Sequence, residues 1–341
     1  MPLSDLRNPI GSTFAIGFDG RDAARLHEMW EAILRSERWS EGPFTARFED
    51  LWSGWNELPS VATSSWAGAA LAALEFVNVR DRVVLCPSNT FMATPLSVLK
   101  AGGRVEFVDC NRTDLCMSFE DFARKAEQLN PKAAWLVHIG GHIAFEAEKI
   151  ADYCRQKGIW LLEDCAHAHG AEWNGRKPGS WGDAGVYSFY ATKTISTGEG
   201  GMLVSRHEAL IGYARAYRNY GKPDHQVQGM NYRMSEFTAA IGCLQVERLP
   251  EILTAKSEYA SSVLDKAHPS RLRFPEGMRS GYYKYIVFEP IPVSTGKVYD
   301  QPCHRILGHP VELPNTDWVA KNHWCVPVYY QGGRAHDSSG S

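Results

Sequence analysis

Arg82-Val83-Val84-Leu85-Cys86, stopped by Pro87, is an apolar run with a single charged residue at its start. A strand covered on both faces reads this way, because neither side of its pleat meets water. Val105-Glu106-Phe107-Val108-Asp109, Ala134-Trp135-Leu136-Val137-His138 and Trp160-Leu161-Leu162 read the same way, followed by Gly185-Val186-Tyr187-Ser188-Phe189 and Met202-Leu203-Val204. Between these runs, residues 67–76, 92–100, 119–128 and 146–157 carry apolar side chains at helical spacing. Strands alternating with helices over residues 60–204 predict an α/β fold with a doubly wound, mostly parallel mixed sheet flanked by helices. Such sheets bind ligands beyond the carboxyl ends of their strands. Asp109, His138, Asp164 and Ser188 all fall at or near such ends.

Downstream, residues 236–249 predict a helix with Phe237, Ala240, Ile241 and Leu244 on one face and Pro250 as its stop. Beyond it the pattern weakens to one strand, Tyr285-Ile286-Val287-Phe288, among six scattered prolines. The expected organisation is a large domain with an N-terminal arm over 1–250, a smaller α+β domain over 251–331, and an unstructured tail over 332–341.

Composition narrows the function. Lys+Arg number 36 against Asp+Glu 39, a formal net charge of −3, so no bulk electrostatic case exists for nucleic acid or a membrane surface. The first fourteen residues lack the apolar core of a signal peptide, and no run is long enough to span a bilayer. Eight cysteines lie scattered without a Cys-x-x-Cys pair, which fits reduced thiols in a cytoplasmic protein.

The chemistry centres on Lys193. Val186-Tyr187-Ser188-Phe189-Tyr190-Ala191-Thr192-Lys193 leads into Thr197-Gly198-Glu199-Gly200-Gly201. A lone lysine beside glycines is ordinarily a solvated loop residue. The acidic strand end upstream, Trp160-Leu161-Leu162-Glu163-Asp164, changes that reading, since a carbonyl-trapping amine with a buried carboxylate is what pyridoxal 5'-phosphate requires. Asp164 would hold the pyridine nitrogen protonated. Ala67 and Gly68, opening a helix after Ser64-Ser65, would offer amides to the phosphate and Ser188 a hydroxyl. Phe91 would cover the ring face. Taken singly, Asp164 reads as a turn or cap residue, Phe91 as core and Ser188 as a satisfied small polar residue. Their joint order is the specific signal.

Glu163-Asp164-Cys165-Ala166-His167-Ala168-His169-Gly170-Ala171, Gly179-Ser180-Trp181-Gly182-Asp183, the run to Lys193 and the glycine turn after it together resemble the core signature of the DegT/StrS sugar aminotransferases. The likeness runs from Trp39-Ser40-Glu41-Gly42-Pro43 to Leu249 and includes Gly229-Met230-Asn231-Tyr232-Arg233-Met234-Ser235-Glu236. It implies a fold-type I pyridoxal phosphate-dependent transferase working as a homodimer with shared active sites, moving an amino group, usually from L-glutamate, to nucleotide-linked keto-sugars or cyclitol ketones. By motif position it makes Lys193 the residue that bonds the cofactor and Asp164 the partner of its ring nitrogen. It sets His167 on the ring hydroxyl, Ser188 with the amides of Ala67 and Gly68 on the phosphate, and Phe91 on the ring. Asn231 would reach the phosphate of the neighbouring subunit, and Arg233 and Tyr190 are candidates for substrate. Three departures stand out: Ala67-Gly68 replaces the usual Gly-Thr, His167 stands where glutamine is commoner, and the segment after Pro250 is short.

The expected reaction is a two-stage, ping-pong transamination in which Lys193, its pKa lowered by burial and nearby positive charge, moves the proton. The alternative acceptors are a cyclitol ketone or an aminoshikimate-type precursor, handled by an aminotransferase or aminodehydratase. A related dehydratase would carry histidine at position 193, so the lysine argues against it. Two further readings are a non-catalytic regulatory protein on the same scaffold and a metal hydrolase using His138, Asp164, His167 and His169, for which no strong zinc spacing exists.

Overall fold

A computed structural model describes residues 17–331 and 334–336. Two helices lead, α1 (Gly20–Ser36) and α2 (Pro43–Asn56). Strands and helices then alternate: β1 (Ser60–Thr63), α3 (Trp66–Val77), β2 (Val83–Pro87), α4 (Ala93–Lys100), β3 (Arg104–Val108), α5 (Phe119–Leu129), β4 (Ala133–Val137), α6 (Ala147–Lys157) and β5 (Trp160–Asp164). After a short β6 (Glu172–Trp173) come β7 (Ala184–Ser188), β8 (Gly201–Ser205), α7 (Glu208–Tyr217) and α8 (Glu236–Tyr259).

Seven of these strands form one sheet in the order β1-β8-β7-β5-β4-β2-β3. Strands β3, β2, β4, β5 and β7 pair in parallel, and β8 runs antiparallel to both its neighbours. Alternate side chains feed opposite faces. Leu85, Leu136 and Leu161 join one apolar cluster, while Val84, Cys86, Trp135 and Leu162 join the other. Helices cover both faces, which is why the strand runs carry so little polar sequence. All eight cysteines are buried and free. Among the described residues no helix is long and apolar enough to cross a membrane.

Pro250 does not stop its helix. Helix α8 runs through it to Tyr259 and continues as a short π-helical stretch over Ala260–Leu264. A proline inside a helix forfeits one backbone hydrogen bond and crowds the preceding turn. Here Leu249 and Ile252, on either side of it, are fully buried in the cluster that also holds Phe48 and Trp52 of α2, and that packing carries the helix through. The boundary expected at residue 250 therefore falls inside a helix.

The C-terminal part contains α9 (Asp265–Ala267), β9 (Met278–Arg279), β10 (Tyr285–Val287), α10 (Cys303–Ile306), α11 (Pro314–Lys321), β11 (Trp324–Val326), β12 (Tyr329–Gln331) and β13 (Arg334–His336). Strand β10 pairs with β11, β9 with β6, and β12 with β13. The expected tail over 332–341 lies outside the described residues except for β13, whose backbone is paired. Leu272, Met278, Ile286, Val319 and Cys325 join the same apolar cluster as Leu136, so this part is sealed onto the main sheet. The seam is close at Gly140 and Gly141, both at positive φ (69° and 112°). A Cβ at Gly140 would lie 2.6 Å from Ile286 Cδ1, and one at Gly141 2.6 Å from the Tyr283 amide nitrogen. Lys284 N–H donates to the Gly140 carbonyl (2.8 Å) and Gly281 N–H to that of Gly141 (2.7 Å).

Candidate active site

A cavity of about 650 Å³ opens where the chain leaves β2, β5 and β7, lined by Ala67, Phe91, Asp164, His167, Ser188, Tyr190 and Lys193. Tyr283, Lys284, Lys297 and Tyr299 from the C-terminal part close it. Seven residues singled out in the sequence thus share one wall.

Asp164, 5% exposed, ends β5. Its Oδ1 accepts the Trp66 indole N–H (3.1 Å) and the Ala166 amide (3.1 Å), and its Oδ2 accepts the Thr94 hydroxyl (2.9 Å). Burial pushes its pKa up, against the pull of the Ala166 and Thr94 hydrogen bonds and of the Lys193 charge. A carboxylate oxygen has room for more than one donor, so Oδ2 keeps acceptor capacity. A further cationic donor would hold this acid ionised.

The Lys193 amide is fixed by the Tyr190 carbonyl (2.9 Å). Its ammonium lies 4.9 Å from the Tyr283 ring centroid and has no hydrogen-bond or ion-pair partner among the described residues. Burial brings its pKa down to about 8; the Asp164 charge opposes that fall and Lys284 adds to it. An unpartnered, partly buried amine that sheds its proton near neutrality is a nucleophile and a base.

His167 stacks on Tyr283 at 4.2 Å between centroids and lies nearly coplanar with Tyr299 at 5.8 Å. Burial first, then the charges of Lys193 and Lys284, hold it neutral. Its Nδ1 accepts the Gly140 N–H (3.4 Å), so the ring proton belongs on Nε2, which faces the Tyr299 hydroxyl at 3.4 Å. His167 therefore presents a donor.

Helix α3 begins with the Ser65 hydroxyl as its cap, accepting the Gly68 N–H at 3.4 Å. Ser65, Trp66 and Ala67 line the cavity, so the positive end of the helix dipole opens onto it. Gly68 does not line it; the residue is buried under Tyr232, whose Cβ and ring would lie 2.9 Å from an added Cβ. Ser188, 7% exposed, accepts the Tyr190 N–H (3.3 Å) and keeps its own hydrogen free. Phe91 is 64% exposed and Tyr190 46% at the cavity wall. Asn231 and Arg233 lie outside the cavity: Asn231 is exposed, its Oδ1 accepts the Arg233 N–H (3.2 Å), and the Arg233 guanidinium bonds to Asn219.

The metal reading does not match the geometry. The buried clusters of ligand-type atoms among the described residues are Asp114–Cys116–His142 and His138–Glu163–Cys165. His138 is held on Glu163 (2.8 Å), a carboxylate that also accepts the amides of Gly179 and Gly182. His169 is caged by the rings of Trp52, Tyr187 and Phe189.

A family model, the DegT/DnrJ/EryC1/StrS aminotransferases, matches residues 21–267. The chain belongs to this family. GDP-perosamine synthase of Vibrio cholerae is 33% identical to it over 249 residues, 71% of this chain and 66% of that protein, just under two thirds of its length. A putative L-glutamine:3-amino-2,3-dideoxy-scyllo-inosose aminotransferase of Micromonospora echinospora is 39% identical over 124 residues, 34% of this chain and 29% of that one. The solved aminotransferase TlmJ of Streptoalloteichus hindustanus superimposes with a TM-score of 0.81 at 26% identity, covering 92% of each chain.

Several residues of this DegT/StrS-family cavity escaped the sequence reading. Trp66 passes for packing, yet its indole N–H is spent on Asp164. Thr94 sits in the same short run as Phe91, and its place one turn into α4 is the signal that would have found it. Tyr283, Lys284, Lys297 and Tyr299 come from a region with no period to read.

Proposed function

We propose that the chain is a pyridoxal phosphate-dependent aminotransferase that moves an amino group from an amino acid, L-glutamate in the first instance, to a keto-sugar linked to a nucleotide. One observation carries this reading: the unpartnered Lys193 amine and the buried Asp164 carboxylate open on the same cavity. The residues present suit the cofactor, since Lys193 lacks a partner, Asp164 keeps acceptor capacity, and the α3 terminus with Ser65 and Ser188 suits a phosphate. When bound, the cofactor supplies an aldehyde that bonds to amines and a protonated ring that draws electrons from them.

Asp164 would hold the ring nitrogen, and its network to Trp66, Ala166 and Thr94 fixes the carboxylate so that no reorientation is needed during reaction. Ser188, Ser65 and the Ala67 amide would hold the phosphate, with Gly68 shaping the helix start beneath. Phe91 would lie on the ring and the His167 Nε2–H would donate to its hydroxyl oxygen. Lys193 Nζ, with a pKa of about 8, takes up and returns the proton of the donor's α-carbon. Asn231 and Arg233 would serve the site of a second copy, which makes a homodimer part of the proposal. The 39% identity to an inosose aminotransferase keeps a cyclitol ketone as the second acceptor class.

Half-reactions test this directly. Purified protein loaded with pyridoxal phosphate should lose its yellow absorbance with L-glutamate. Nucleotide-linked keto-sugars should restore it faster than inososes; restoration by inososes alone would move the assignment to cyclitols. No change with any amino acid would remove it.

A further inference from the structure

A second cavity, of about 340 Å³, shares Lys284 with the first. Its walls are aromatic. Phe274 meets Tyr282 at 5.9 Å and the His142 ring at 5.6 Å, and Tyr282 stacks on Tyr285 at 6.2 Å. Its charges are mostly positive: Arg271, Arg273 and Lys284 against Asp265. Arg271 is answered by Asp265 (2.9 Å), which also accepts the Tyr285 hydroxyl (2.7 Å). The other two cations are not answered. Arg273 is exposed and donates to the Pro269 carbonyl (3.3 Å) without a carboxylate partner among the described residues. The Lys284 ammonium lies 5.2 Å from the Tyr283 ring centroid, with no hydrogen-bond or carboxylate partner among the described residues.

Aromatic walls stack a planar heterocycle, and unpaired guanidinium and ammonium groups take phosphate oxygens through charge-assisted hydrogen bonds. The volume lies within the roughly 300–1,000 Å³ of small-molecule sites. Lys284 joins this space to the cavity of Lys193. We propose that the second cavity holds the nucleoside end of the acceptor, with Arg273 and Lys284 on its diphosphate and the keto-sugar reaching the cavity of Lys193. This rests on the aminotransferase reading and deepens it: two unanswered cations serve a nucleoside diphosphate and offer nothing to a neutral cyclitol ketone.

The test is calorimetric binding of GDP, UDP, TDP and inorganic pyrophosphate to the cofactor-loaded protein. At least one nucleoside diphosphate should bind, and its affinity should fall tenfold or more in Lys284→Gln and in Arg273→Gln and return in Lys284→Arg. Phe274→Leu, which removes the ring but keeps the apolar bulk, should weaken the nucleoside diphosphate and leave pyrophosphate unchanged. Unaltered binding in Lys284→Gln and Arg273→Gln overturns the proposal. So does pyrophosphate binding as tightly as the nucleotide with Phe274→Leu silent, since Lys284 would then read an anion alone. Borohydride trapping of the cofactor on Lys193 separates the two levels. Trapping with unaltered nucleotide affinity in the variants sinks only this subsite, whereas failure to trap in the wild type sinks the aminotransferase reading itself.

Discussion

At the scale of single residues, the site depends on side chains whose hydrogen bonds leave one group of each unspent. Asp164 has three donors and remaining acceptor capacity. Removing the acid by Asp164→Ala should slow transamination by more than tenfold, ~1.4 kcal/mol. Thr94→Val, which keeps the shape but drops one donor, should cost less and leave the protein folded. Single-turnover absorbance measures both, and an Asp164→Ala rate within a few-fold of wild type would deny the acid its tuning role. His167 is a sharper case, because the Gly140 amide decides which nitrogen carries its proton. A glutamine side chain can set an N–H near the place of Nε2, whereas asparagine sets one near Nδ1. His167→Gln should therefore retain most of the turnover, and His167→Asn should lose at least tenfold, ~1.4 kcal/mol. The opposite ranking would mean that Nδ1 is the working atom.

Among the elements, the helix starts carry the tightest dependence on distant sequence. Helix α2 begins after Gly42 without a side-chain cap of its own. The buried Glu236 carboxylate supplies one, accepting the amides of Gly42 (3.0 Å), Phe44 (2.7 Å) and Thr45 (3.0 Å) and the Thr45 hydroxyl. Glu236→Ala would strand these donors beside α8 and should destabilise the fold by about 3 kcal/mol, with Glu236→Gln losing less. Chemical denaturation checks this, and equal stability of the two variants would show the cap to be unimportant. The element scale also shows why legibility was uneven. The runs ending at Cys86, Val137 and Asp164 were readable because a strand buried on both faces leaves no polar residue to confuse the pattern. Pro250 misled because its cost is local while the burial of Leu249 and Ile252 is set by α2, two hundred residues earlier. The same holds for the cavity. Lys193, Asp164 and Ser188 sit on or next to recognisable strands, whereas Tyr283 and Lys284 reach it only through the Gly140–Gly141 seam, which no local period announces.

Across the whole molecule, packing the C-terminal part onto the sheet buries positive charge as well as apolar surface. Lys256 of α8 is 7% exposed, and its ammonium donates to the Tyr282 carbonyl (3.1 Å). Burial, and then Lys284, brings its pKa down from 10.5 to about 8. The unfolded chain holds that proton more tightly, so stability rises with pH between about 8 and 10.5, and the penalty is complete below 8. Lys256→Met should be more stable than wild type by on the order of 3 kcal/mol at pH 7, with most of that advantage gone at pH 10. A gain independent of pH in urea melts would mean that packing alone is responsible. The same interior also lowers the pKa of Lys193, and the assignment of that amine is the claim on which the functional account stands. Borohydride reduction of the protein after loading with pyridoxal phosphate, followed by peptide mass mapping, tests it most directly. The expected result is a phosphopyridoxyl group on the peptide containing Lys193 and its loss in Lys193→Ala; a label on Lys256 or Lys284 instead, or none at all, would contradict the account.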